Sequence, residues 1–64
     1  MIYNITEYAD AGTIDHESLS FDEAAQIVER LSKGEDFYIV FDEYGCEHVH
    51  CTVEDLRRAE EDDE

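Results

Sequence analysis

Sixty-four residues make one small domain, and nineteen Asp and Glu against four Lys and Arg give a formal net charge of −15. Charge of that sign disfavours direct binding to nucleic acid or an anionic membrane and favours a basic partner or a very salty solvent. A chain this short buries roughly 60% of its unfolded surface and has no room for a deep interdomain cleft. Ordinary hydrophobic content predicts folding despite the charge. No secretory or membrane-spanning run occurs, so a cytoplasmic, soluble protein is expected.

The first segment, Met1 to Tyr8, is rich in Ile, Tyr and Thr and reads as a strand. Ala9 to Gly12 is a turn, Gly12 supplying the positive φ that closes a hairpin. Thr13 to Glu17 returns as the second strand, with Ile14 and His16 on one face. Of the two registers, the one with Tyr3 and Ile5 inward is preferred over Ile2 and Tyr8 inward.

A helix is expected over Phe21 to Lys33. Ser20 is its N-cap, Glu23 completes a capping box, and Asp22 and Glu23 suit the positive end of the helix dipole. Phe21, Ala24, Ala25, Val28 and Leu31 recur at helical spacing, with Ile27 beside them. Gly34 is the expected C′ residue.

Phe37 to Phe41 reads as a third strand and Asp42-Glu43-Tyr44-Gly45 as a turn with Gly45 left-handed. Pairing Asp42 with Cys46 sets Phe41 opposite Glu47, Val40 opposite His48, Ile39 opposite Val49, Tyr38 opposite His50 and Phe37 opposite Cys51. The face with Phe37, Ile39, Phe41, Val49 and Cys51 is the expected core face. Tyr38, Val40, Cys46, His48 and His50 lie on the other.

Thr52 with Asp55 forms a second cap before a short helix, about Val53 to Glu60, with Val53, Leu56 and Ala59 on one side. The fold class that follows is α+β: a ββαββα pseudo-repeat, a four-stranded antiparallel sheet with two helices on one face. Residues 1–60 form the expected domain and 61–64 a frayed acidic tail, since negative charge opposes the dipole at a helix C-terminus. Ser20-Phe21-Asp22-Glu23-Ala24 resembles the S-x-x-E-A helix opening of strand-strand-helix units in many small phage and bacterial proteins, which implies fold alone.

The sharpest local chemistry is Cys46-Glu47-His48-Val49-His50-Cys51. Thiolate and imidazole are good zinc ligands. In a strand, His48 and His50 point the same way about 7 Å apart, but Cys46 lies about 13 Å from His50. Cys51 points to the opposite face, and no second ligand pair follows, so no metal is expected. A disulfide between Cys46 and Cys51 is excluded in an extended strand, where they lie about 17 Å apart against a limit near 7 Å. A Cys–His nucleophile lacks an orienting third residue, and surrounding carboxylates raise a thiol pKa. No cofactor and no catalytic residue is implied.

A compact chain of this length has a radius of gyration near 11 Å. Treated as a sphere it spans roughly 27 Å, over which duplex DNA carries about 16 charges. In size, charge and scarcity of lysine the chain resembles the small acidic nucleic-acid mimics of phages and mobile elements, anti-CRISPR inhibitors among them. That resemblance implies a non-enzymatic inhibitor that occupies the basic groove of a nucleic-acid-binding protein such as a CRISPR effector. Asp10, Asp15, Glu17, Asp22, Glu29, Asp42, Glu43 and Glu47 would supply phosphate-like charge, and Tyr44 would stack on a partner arginine. High-salt adaptation, or an antitoxin-like partnership with a basic protein, is the alternative.

Overall fold

A computed structural model describes residues 2–62. The elements run β1 (Tyr3–Ala9), β2 (Gly12–Leu19), α1 (Phe21–Ser32), β3 (Phe37–Phe41), β4 (Glu47–Val49) and α2 (Val53–Asp62). The ββαββα order is the expected one. All strand pairs are antiparallel, in the spatial order β2-β1-β3-β4. The expected strand start at Met1 and the tail residues 63–64 lie outside the described residues.

Ala9 pairs with Gly12, leaving Asp10 and Ala11 as a two-residue loop, and Gly12 takes a φ of +131° that a side chain would strain. The expected register holds: Tyr3 and Ile5 are buried, while Ile2 and Tyr8 are exposed. β2 runs two residues beyond the expected Glu17. Glu17 and Ser18 together lie against Asn4, a β-bulge that restores Leu19 to the inward side opposite Tyr3. Ser18 holds a left-handed φ of 57°, stabilised where its N–H donates to Asn4 Oδ1 at 3.0 Å.

α1 begins as its capping box requires. The Glu23 N–H donates to Ser20 Oγ at 3.3 Å, and the Ser20 N–H donates to Glu23 Oε1 at 3.4 Å. Ala24, Val28 and Leu31 form its buried stripe, with Phe21 and Ile27 packed beside them. Gly34 donates to the Leu31 carbonyl at 3.1 Å but does not take a positive φ, so the helix closes without a left-handed glycine. In α2 the Asp55 N–H donates to Thr52 Oγ1, and the Thr52 N–H donates to Asp55 Oδ2. Leu56 is buried there, with Val53 and Ala59 half-buried beside it. The helix extends two residues past its expected end.

The second hairpin keeps its expected register but not its expected core face. Ile5 pairs with Val40 and Glu7 with Tyr38, which turns Tyr38 and Val40 toward the helices, where both are buried. Phe37, Ile39, Phe41 and Val49 therefore face away from the helices. Phe37 is 40% exposed and Val49 52%. The pairing with β1 decides this: Ile5 is already committed to the core, and opposed residues share a face. Cys51 is buried as expected but arrives by another route. His50 takes a left-handed φ of 54°, the strand alternation ends, and Cys51 turns under the sheet instead of lying opposite Phe37. Tyr38 Oη donates to the Cys51 carbonyl at 2.7 Å and pins that turn.

One core results: Tyr3, Ile5, Leu19, Tyr38 and Val40 from the strands meet Ala24, Val28, Leu31 and Leu56 from the helices. The sheet is thus two-faced, with one side under helices and the other uncovered.

Candidate functional site

On the uncovered face the register sets out three rows. Thr13, Tyr8 and Phe37 form the first. Asp15, Thr6, Ile39 and Val49 form the second. The bulge, Asn4, Phe41 and Glu47 form the third. Tyr8, Phe37, Ile39, Phe41 and Val49 make a continuous apolar stripe over β1, β3 and β4. Asp15 and Glu17 line its β2 flank and Glu47 its β4 corner. The Tyr8 and Phe37 rings lie 5.4 Å apart, and the His50 ring meets Phe37 edge-on at 5.0 Å.

Among the described residues, no Lys or Arg lies on this side. The four Lys and Arg are Arg30, Lys33, Arg57 and Arg58, and all belong to α1, its C-cap or α2. None of the four strands carries one. Arg30 and Lys33 are moreover paired, with Glu7 and Glu29, and Arg58 lies 4.0 Å from Glu54.

The carboxylates expected to contact a partner divide into groups. Asp10 stands at the first turn and Glu43 and Tyr44 at the second, at opposite ends of the sheet, all exposed. Asp15, Glu17 and Glu47 are exposed on the strands, with Thr6 Oγ1 donating to Asp15 at 3.0 Å. Asp22 and Glu29 are exposed on α1, in the helical layer, and do not join the others. Asp42 is engaged within its own turn. Its Oδ1 accepts from the N–H groups of Tyr44 and Cys46, both at 2.9 Å, and its Oδ2 faces His48 Nε2 at 3.3 Å. The Cys46 N–H above all, helped by His48 and the Tyr44 N–H and opposed by partial desolvation, holds its pKa below the usual carboxylate range.

A small cleft between the second hairpin and α2 gathers Asp42, His48, Cys51 and Asp55 above Tyr3 and Leu56. Its chemistry is already committed to structure. Asp42 holds the turn, and Asp55 caps α2. Burial, reinforced by the Asp55 charge, pushes the Cys51 thiol up to about 11. Cys46 is exposed in the turn, and His50 is spent on the Phe37 and Tyr38 rings. Among the described residues, no three His, Cys, Asp or Glu side chains converge as a metal site requires.

One polar constellation escapes sequence reading. Glu7 is 4% exposed on the core side of β1. Its Oε2 accepts from His16 Nε2 at 2.5 Å and from Arg30 Nη2 at 3.1 Å. Desolvation raises its pKa, but the bonds and charges of His16 and Arg30 outweigh this and leave it lowered. The cluster ties β1, β2 and α1 together and stops a buried carboxylate from standing unpaired. Alternation from Tyr3 and Ile5 was the signal for it, since the same parity turns Glu7 inward.

No helix among the described residues is long and apolar enough to cross a membrane. No protein-family model, curated protein or solved structure matches the chain.

Proposed function

We propose that the chain is a non-enzymatic acidic binding protein that occupies the basic groove of a nucleic-acid-binding protein, such as a CRISPR effector, in place of nucleic acid. The observation that carries this reading is the segregation of charge: all four Lys and Arg sit on the helical layer, while the charged side chains described on the open sheet face and at both hairpin turns are all carboxylates. The radius of gyration, 11.0 Å, supports the size comparison with a short duplex. The long dimension of 38 Å corresponds to a stretch of duplex bearing about 22 phosphates, so fifteen net negative charges make a somewhat dilute surrogate. In this reading Asp10, Asp15, Glu17, Glu43 and Glu47 supply the charge on the sheet and its ends, and Tyr44, exposed at the second turn, stacks on an arginine of the partner. Such a surface associates fast and weakens steeply with salt.

The test is competition. A fluorescent duplex bound to a guide-loaded CRISPR effector should be displaced by the chain, and displacement should weaken at least about tenfold between 50 and 200 mM salt, as phosphate-type contacts do. Failure to displace duplex from such effectors, together with a fold that melts below molar salt, would leave high-salt adaptation as the reason for the acidity.

A further inference from the structure

We infer that the uncovered sheet face is the docking surface, and that its occupant is a protein presenting an apolar centre ringed by Arg and Lys. This inference rests on the reading that the partner is a basic protein, but not on mimicry of nucleic acid.

The face combines two features that simple solvation does not require together. At its centre are Tyr8, Phe37, Ile39, Phe41 and Val49, of which Tyr8, Phe37 and Val49 are 41%, 40% and 52% exposed. Contiguous exposed apolar surface rimmed by polar residues marks interaction sites, and aromatic residues are enriched in them. Around this centre stand Asp15, Glu17 and Glu47, with no Lys or Arg on any strand. Burying the stripe against a partner gives affinity, and the rim sets which partner is tolerated.

Charge identifies the occupant. A second copy would bring acidic rims against each other and join two bodies of −15 each. At interface distances, well within the Debye length of about 8 Å in physiological salt, that repulsion is not screened. A nucleic acid or an anionic bilayer meets the same repulsion. A basic protein surface with apolar side chains at its middle satisfies both features. Its arginines pair with the rim, and its apolar centre covers the stripe. The rim then governs association rate and salt dependence, and the stripe governs dissociation.

The experiment uses two fluorescent peptides of the same Leu and Arg composition. One is a helical amphipath with leucines on one face, the other its scrambled isomer. Anisotropy against the full chain at about 0.15 M salt should show the amphipath binding at least about tenfold more tightly than the scramble. The double variant Phe37→Ser/Val49→Ser, checked for folding by circular dichroism, should lose that advantage. Glu17→Lys/Glu47→Lys, which alters only exposed positions, should slow association of both peptides. Asp22→Asn/Glu29→Gln on the helical layer should leave amphipath affinity within about twofold. Amphipath binding that is indifferent to both sheet variants would overturn the inference and leave a basic partner standing. Absence of binding by either peptide would remove the basic-partner reading as well. Sedimentation showing a dimer at the same salt, abolished by Phe37→Ser/Val49→Ser, would make a second copy the occupant and overturn the inference.

Discussion

The rings of Tyr8 and Phe37 lie 5.4 Å apart across the β1–β3 pair, on the side of the sheet that no helix covers. Their sequence neighbours Glu7 and Tyr38 point the other way and are buried. The second hairpin thus buries one set of apolar residues and displays another.

The two sets should differ in stability. Val40 is fully buried, so Val40→Ala should cost about 2 kcal/mol. Ile39, adjacent but on the open face and half-buried, should cost less than about 1 kcal/mol when changed to Ala. Urea unfolding of both variants checks this, and a larger loss at Ile39 would mean that the faces are exchanged.

Glu7→Gln should lower stability by about 1–3 kcal/mol at neutral pH, because it removes the charge from two hydrogen bonds. The sign follows from the lowered folded pKa of Glu7. A carboxylate whose pKa is depressed on folding contributes stability that is fully present above the unfolded value, near 4.5, and is lost as pH falls through the folded value. The gap between wild type and Glu7→Gln should therefore narrow as pH falls through that folded value. A gap that stays fully open well below that window would contradict the assignment.

At the second turn, Asp42→Ala should cost about 1–2 kcal/mol through loss of two charge-assisted bonds to backbone N–H groups, whereas Glu43→Ala should stay within about 0.5 kcal/mol. Thermal melts of the pair separate a structural carboxylate from a solvated one. Equal effects would mean that Asp42 is not what holds the turn.

The two cysteines should differ chemically. Cys46 is exposed, while Cys51 is buried with its thiol pushed up to about 11. Iodoacetamide at mildly alkaline pH should label Cys46 in the folded protein and reach Cys51 only on unfolding. Peptide mass spectrometry reads the two sites separately, and comparable labelling in native buffer would contradict the burial of Cys51.

Much of this architecture is legible in the residues. The capping boxes at Ser20/Glu23 and Thr52/Asp55, the stripe Ala24–Val28–Leu31 and the register set by the Asp42–Gly45 turn are local signals, and the structure follows them. What local pattern cannot supply is the facing of β3. Phe37-Tyr38-Ile39-Val40-Phe41 is apolar at both parities, so alternation is silent, and choosing the bulkier parity as core places the strand back to front. A long-range pairing, Ile5 with Val40, settles it. Cys51 enters the core because His50 adopts a left-handed conformation, which parity counting does not anticipate. Charge alone groups the carboxylates expected to act as one surface, and Asp22 and Glu29 fall on the helical layer.

The most direct test of the account is a nitrogen-15 NMR titration of the chain with the Leu/Arg amphipathic peptide. The docking surface argued above predicts that the largest shifts fall on Tyr8, Phe37, Ile39, Phe41 and Val49 and on the neighbouring Asp15 and Glu47, with Gln26 and Glu29 of α1 unmoved. Shifts gathered on α1 and α2, with the strands unchanged, would contradict it.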